Sequence, residues 1–463
     1  MINYLPQNIL ESRRALVIGA GKSGVSAVQL LLRLNKEVVI TDLKEESEIR
    51  GTADKLRELG VRYFFGGHPI DLLECADFVV VSPGAPTNIP ILECAYSNNI
   101  PVLGEFELAS LFIKCPIIAV TGTNGKTTVA TWVYHTIKNL GYNPTLAGNI
   151  DIPLSDIALL SEKYTHVVAE VSSYQLEYSK YFHPWIATVL NITPDHLSRH
   201  GNMENYAQIK NKIFENQREN DLAVLNYDDE WSRNMKVPPG VEVKYFSIVK
   251  PIEKGVWVDK LDKGGSIFSG IKMIGSVGKI PLPGKHNLSN ALAVLAMLGS
   301  KLAVYERVLE GMSSFKGVPH RIEYVGEKDG VRFYNDSKST NVDSLRVALE
   351  SFQEPLILIA GGRGKGYGYE SLRDLIRAKV KFMITMGEEA ERLEKAFSDI
   401  VEVSRVGSMD EAVDLAWRKS FPGCVVLLSP GCASFDMYPN FEVRGNHYKE
   451  CVKKIIGEVR DEK

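Results

Sequence analysis

The chain has 463 residues, 44% hydrophobic and 24% charged, a length that suggests about three globular domains. Its net charge of −3 offers no broad basic surface for nucleic acid, and no apolar run approaches the roughly 20 residues needed to span a bilayer. Met1 to Arg14 lacks the apolar core of a signal peptide, and the six cysteines show no CxxC spacing, so a cytoplasmic protein with neither membrane insertion nor a zinc framework is expected.

The first segment opens with a strand pattern, Arg14 to Ile18, followed by Gly19-Ala20-Gly21-Lys22-Ser23-Gly24 and a helix pattern from Val25 to Leu34. GxGxxG between a strand and a helix is the fingerprint of a diphosphate seated at a helix N-terminus. A second strand, Glu37 to Thr41, ends at Asp42, near the expected acidic position, and Phe78 to Val81 leads into Ser82-Pro83-Gly84. Two readings stand open here: an NAD-dependent oxidoreductase, or a domain that grips a nucleotide-linked substrate by its diphosphate.

The middle of the chain carries a second phosphate motif. Ile117-Ile118-Ala119-Val120 reads as a buried strand and runs into Thr121-Gly122-Thr123-Asn124-Gly125-Lys126-Thr127-Thr128, after which residues to Leu140 suit a helix. Glycines that turn the backbone N–H groups inward, a lysine for the β/γ-phosphates and a hydroxyl for Mg²⁺ make a P-loop. It is a shorter variant, since Val120 stands where the general pattern has its first glycine. The strand His166 to Ala169 delivers Glu170, an acid placed to hold Mg²⁺. The strand Ile186 to Leu190 delivers Asn191 to His196, and His196 reads as a metal ligand beside Glu170 rather than a structural histidine.

Met203, Tyr206, Ile213 and Phe214 mark one buried helical face, and Lys210 sits on that stripe. Periodicity alone favours a lysine snorkelling from the stripe's edge, with a desolvated amine of lowered pKa as the alternative. Residues 222 to 280 alternate short strand-like runs with Gly and Pro and carry no motif. Leu282 to Asn290 then opens an apolar helix, Ala291 to Leu298, for which Asn287 or Asn290 reads as a cap ahead of a base contact.

Beyond the linker around Arg321, three strand-to-loop junctions follow. Val331 to Tyr334 leads to Asn335–Asn341, Leu356 to Ala360 leads to Gly361–Gly366, and Val425 to Leu428 leads to Ser429–Asp436. Lys338, Lys365 and Arg321, with the hydroxyls of Thr340 and Ser434, either converge on a small acid or are solvated loop charges.

Taken together, Thr121–Thr128, Glu170-Val171-Ser172-Ser173, Asn191–His196, His286–Asn290, His320-Arg321 and Asp336–Asn341 resemble, in order and spacing along the whole chain, the Mur ligases of peptidoglycan synthesis. The likeness implies an α/β protein of three domains. Residues 1–112 would form a Rossmann-like UDP-sugar domain, 113–318 a central P-loop ATPase with a mostly parallel sheet, and 319–463 a C-terminal Rossmann-like amino-acid domain. The likeness is greatest to the branch that adds D-glutamate to UDP-N-acetylmuramoyl-L-alanine. Another Mur-type or a folylpolyglutamate-type ligase is the alternative, and a monomer is expected.

Several roles follow from the resemblance. Gly21, Lys22, Ser23, Gly24, Asp42, Ser82, Gly84, Asn149 and Ser172 would meet the UDP-sugar. Gly122, Thr123, Asn124, Gly125, Lys126, Thr127 and Thr128, with Asn290, Arg321 and Asp336, would contact ATP. Lys338, Thr340, Lys365, Ser434, Phe435 and Phe441 would surround D-glutamate. Two Mg²⁺ ions would rest on Thr127, Glu170, His196 and Lys210, the lysine carrying a CO₂-derived carbamate, and Lys126, Glu170, His196 and Lys210 would serve catalysis. Closure of the third domain onto the second would align amine and acyl phosphate.

Overall fold

The computed structural model describes residues 11–150, 152–364 and 368–457; Lys365 lies outside them. The chain divides into two compact units, one comprising the chain through Ile280 with Ser289–Ser313, the other Pro281–Leu288 with the chain from Ser314.

The first unit contains two sheets. The smaller is wholly parallel, in the spatial order Arg62–Phe65, Glu37–Asp42, Arg14–Ile18, Phe78–Val81, Val102–Gly104. Phe78, Val79, Val80 and Val81 are all fully buried, as expected of an unbroken β-branched and aromatic run in a sheet covered on both faces. Strand order reverses between Arg14–Ile18 and Phe78–Val81, so the glycine turn after Ile18 and the turn at Ser82 meet at the point where such sheets bind ligands. The helix Lys22–Arg33 starts three residues earlier than Val25, because Gly21 in extended backbone serves as its cap position.

The larger sheet runs Lys272–Ser276, Ser266–Ser269, Gly255–Val258, Glu242–Ser247, Leu222–Asn226, Ile186–Val189, Ile117–Thr121, His166–Glu170, Pro144–Gly148. All neighbours are parallel except the last two pairings at the Lys272–Ser276 edge, which are antiparallel. The motif-free stretch 222–280 therefore supplies the outer five strands. The two sheets are bolted together by the helix Glu105–Ser110. Glu105 Oε1 accepts from Ser155 N at 3.0 Å and Ser155 Oγ at 2.6 Å, and Glu107 Oε1 accepts from the backbone of Lys180 and Tyr181. Both glutamates are fully buried, and the second oxygen of each has no hydrogen-bond partner among the described residues.

The second unit is built on the order Glu323–Lys328, Val331–Asn335, Val425–Leu428, Leu356–Gly361, Val380–Met386, Glu402–Arg405, parallel apart from the first, antiparallel pair. Every residue of Leu356–Gly361 is buried. The helix expected from Ala291 begins at Lys285: the polar run His286–Asn290 is its first turns, not a loop.

Candidate active site

The strand Ile117–Thr121 ends in a loop whose shape needs its glycines. Gly122 has φ +150° and Gly125, at the cap of the helix Lys126–Asn139, has φ +85°. A Cβ at Gly125 would lie 2.7 Å from Asn290 Oδ1, and one at Gly122 3.0 Å from Leu190 Cβ. The loop is also tied down from the next strand junction. Asn191 Oδ1 accepts from Asn124 N at 2.8 Å while its Nδ2 donates to Asn124 O at 3.1 Å, and Thr123 Oγ1 lies 3.3 Å from Tyr206 Oη. Lys126 folds back on its own loop, donating to Gly122 O at 2.9 Å and Thr123 O at 2.7 Å. Thr127 and Thr128 are buried at the start of the helix.

Asn290 is not a helix cap. It lies inside the helix Lys285–Leu298, against the P-loop glycine, because that helix starts five residues before it. Asn287 Nδ2 donates to Pro283 O at 2.7 Å.

Glu170 stands beside the loop, since its strand pairs with the P-loop strand in the register Val120 to Glu170. Asn149 Nδ2 donates to its Oε1 at 3.0 Å; its Oε2 is buried and has no hydrogen-bond partner among the described residues. An orphaned carboxylate oxygen next to a phosphate seat fits a divalent cation. Gly148 permits this packing, at φ +106°, where a Cβ would come within 2.3 Å of Glu170 O. His196 is half exposed, in left-handed backbone at φ +53°, with Nδ1 3.1 Å from Tyr174 Oη.

Lys210 does not snorkel. It is 1% exposed, its Nζ donates to Gly122 O at 3.0 Å and Thr121 Oγ1 at 3.3 Å, and it lies 4.9 Å from the centre of the Tyr206 ring. The helix Met203–Asn211 gives way to a 3₁₀ turn over Lys212–Phe214 immediately afterwards, in which Ile213 and Phe214 are buried. Burial pushes the amine's pKa far below its ordinary value, and nearby Lys126 adds to the effect.

In the diphosphate seat, Gly19 (φ +95°) packs on Ser82, and a Cβ at Gly24 would lie 1.8 Å from Gly19 O. Asp42 braces this turn: Oδ2 accepts from Ala20 N at 2.6 Å and Oδ1 from Lys44 N at 2.9 Å. Gly84 faces open space. Ser172 caps the helix Ser173–Glu177 through a capping box with Gln175.

In the second unit, His320 and Ile322, on either side of Arg321, are both held in left-handed backbone, at φ +63° and +46°, and the buried Arg321 Nε has no hydrogen-bond partner among the described residues. Asp336 accepts from Ser429 Oγ at 2.8 Å and Ile322 N at 3.2 Å; burial raises its carboxyl to about 7, with Ser429 and Arg321 pulling the other way. Lys338 Nζ lies 5.5 Å from the Phe441 ring, Ser434 is buried, Thr340 is half-buried, and Phe435 is 65% exposed.

The residue that gathers these loops is Arg444, which carried no sequence signal. It is buried, with burial lowering its pKa to about 10. It donates to Ser337 O (2.8 Å), Ser337 Oγ (3.0 Å), Cys432 O (3.1 Å) and Ala433 O (3.2 Å), and reaches Gly361 O at 3.5 Å. All three strand-to-loop junctions thus hang on one guanidinium.

Around the P-loop, the common chemistry is phosphoryl transfer, and the first unit has the build of a P-loop nucleotide-dependent enzyme. Comparison with known proteins carries that class further. Residues 13–104 match the model for a Mur ligase MurD-like N-terminal domain, 120–298 that for the Mur ligase middle domain, and 320–432 that for the Mur ligase glutamate ligase domain. The chain belongs to the Mur ligase family.

The chain is 42% identical over 456 residues to the UDP-N-acetylmuramoylalanine--D-glutamate ligase of Pelotomaculum thermopropionicum, covering 96% of this chain and 98% of that one. It is 38% identical over 464 residues to the enzyme of the same name in Bdellovibrio bacteriovorus, covering 98% and 100%. Among solved structures it shares its fold with UDP-N-acetylmuramate-alanine ligase MurC from Thermotoga maritima (TM-score 0.59, 20% identity, 96% of this chain and 100% of that one). MurF from Acinetobacter baumannii gives a TM-score of 0.60 at 15% identity, over 94% and 93%. Family membership replaces the NAD reading of the first glycine turn.

Proposed function

We infer that the protein is an ATP-dependent amide ligase that adds D-glutamate to UDP-N-acetylmuramoyl-L-alanine in peptidoglycan precursor synthesis. The observation that carries this is the near full-length likeness, at 38–42% identity, to enzymes named for that reaction.

The reaction has two steps. A carboxylate oxygen of the L-alanyl group attacks the γ-phosphorus of ATP; an O–P bond forms, the bond from that phosphorus to the β,γ-bridging oxygen breaks, and ADP leaves with the electron pair. The amine of D-glutamate then attacks the acyl carbon, an amide bond forms, phosphate leaves with the C–O electron pair, and the amine proton passes to solvent. Lys126 leaves the carbonyls of Gly122 and Thr123 to meet the phosphates. Thr127, Glu170 and His196 would hold Mg²⁺, which when bound neutralises charge on the transferring phosphoryl group. The buried Glu170 Oε2 supports that assignment.

Burial pushes the Lys210 amine toward its neutral form, and only a neutral amine adds CO₂. We assign it the carbamate, an anion suited to a second Mg²⁺. Asn290, Arg321 and Asp336 belong to the ATP contacts, and Lys338, Thr340, Lys365, Ser434, Phe435 and Phe441 to those of D-glutamate. Gly21, Lys22, Ser23, Gly24, Asp42, Ser82, Gly84, Asn149 and Ser172 serve the UDP-sugar, with Asp42 and Ser172 acting through the loops they brace. The domains are taken as 1–112, 113–318 and 319–463, acting as a cytoplasmic monomer; no helix among the described residues is long and apolar enough to cross a membrane.

The test is phosphate release from ATP with UDP-N-acetylmuramoyl-L-alanine across a panel of D- and L-amino acids. Turnover that requires both the UDP-sugar and D-glutamate is expected. Turnover with a different amino acid would move the chain elsewhere in the family.

A further inference from the structure

Away from the residues assigned to ligation, Asp410, His447 and Cys451 bring three donor atoms of different chemistry within 4.8 Å of one another. Asp410 lies in the first turn of the helix Met409–Lys419. His447 and Cys451 stand four residues apart on the helix Phe441–Ile456, and so project from one face, a turn apart. His447 Nε2 is 2.9 Å from Asp410 Oδ2, and Cys451 Sγ is 3.5 Å from Asp410 Oδ1.

An ion pair between Asp410 and His447 accounts for two of these groups but leaves the third unexplained. Cys451 is 4% exposed, yet its sulfur is aimed at the same carboxylate, and a thiol is a weak hydrogen-bond donor. Tyr438 is the second observation. Its Oη lies 2.9 Å from His447 Nδ1, which fixes the ring with Nε2 toward the cluster. Metal-binding imidazoles are oriented in this way, by a hydrogen bond at the nitrogen that does not ligate. Lys454 Nζ reaches Asp410 Oδ1 only at 3.7 Å, on a side chain 64% exposed that is free to swing aside.

We propose that Asp410, His447 and Cys451 form a site for a thiophilic divalent cation of the Zn²⁺ type, clasping the helices Met409–Lys419 and Phe441–Ile456. One carboxylate oxygen, one imidazole nitrogen and one thiolate sulfur, with water in the fourth position, suit that ion and its cobalt surrogate, whereas Mg²⁺ prefers an all-oxygen shell. On binding, a metal–sulfur bond forms, the S–H bond breaks, and its proton goes to the buffer.

The experiment uses the full chain, stripped with a chelator and titrated with Co²⁺ in excess Mg²⁺. The expected result is one equivalent of Co²⁺ giving a near-ultraviolet thiolate-to-cobalt charge-transfer band that Zn²⁺ bleaches. Cys451→Ser loses the band, and His447→Gln weakens Co²⁺ binding by about tenfold or more, with ATP turnover unchanged in both. No band in the wild-type chain, a band undiminished in Cys451→Ser, or one abolished by Mg²⁺ overturns the proposal. If Cys451→Ser does not fold, His447→Gln decides: full Co²⁺ affinity in that variant also overturns it.

Discussion

Lys210 shows how far one residue can depart from what its spacing suggests. Its place on the apolar stripe was legible, since Tyr206 and Ile213 flank it at helical intervals. Its enclosure was not, because that depends on the P-loop carbonyl of Gly122 and the hydroxyl of Thr121, contributed by chain 88 and 89 residues away. A buried amine whose pKa falls on folding opposes folding: between its lowered folded value and the ordinary 10.5 the unfolded chain binds the extra proton, so its contribution to stability rises with pH across that interval. Chemistry and stability should therefore separate at this site. Lys210→Ala is expected to cut turnover by roughly a hundredfold or more, a loss that added bicarbonate does not repair. Lys210→Met is expected to match or exceed the parent's melting temperature while remaining inactive. Full activity in either variant would remove Lys210 from the mechanism; a collapse in melting temperature would make its role structural.

At the scale of elements, the sequence was most informative where apolar runs met turn residues. Arg14–Ile18, Phe78–Val81 and Val425–Leu428 fall where their β-branched runs end in Gly or Ser-Pro, because a strand covered on both faces has little freedom to end elsewhere. Reading failed where polarity masked a helix. His286–Asn290 looked like a loop with caps, yet it supplies helical turns and brings Asn290 to Gly125. Arg444 was illegible for a different reason, as its acceptors are mostly carbonyls, which every residue carries, on loops as much as 107 residues away. Arg444→Lys keeps the charge but loses the fork that reaches separate loops at once. Each buried carbonyl left unpaired costs about 1–3 kcal/mol, so a loss of about 2–4 kcal/mol in the unfolding of the second unit is expected from urea titration. The KM for D-glutamate should rise more than the KM for ATP, whereas an equal rise in both would show that Arg444 does not specifically shape the amino-acid loops.

Over the whole molecule, buried acids make stability depend on pH in an unusual direction. Burial lifts Glu105 to about 7 from 4.5, with the bonds from Ser155 pulling the other way. A carboxyl raised on folding contributes stability that is complete below about 4.5 and is lost as pH climbs through about 7. Glu105→Gln should flatten that fall by on the order of 3 kcal/mol, read as the urea midpoint of the first unit between pH 5 and pH 8. Asp336, also raised to about 7, gives the second unit a slope of the same sign. An unchanged slope for the first unit in the Glu105 variant would assign it to another group, Glu107 first. The division of the chain carries its own consequence. Because Pro281–Leu288 belongs with the residues from Ser314 onward while Ser289–Ser313 returns to the first unit, no single splice exchanges the carboxyl-terminal lobe between relatives. A chimera joined only after Ser313 inherits an eight-residue patch from the wrong parent, and His286 would then confront a foreign Arg321.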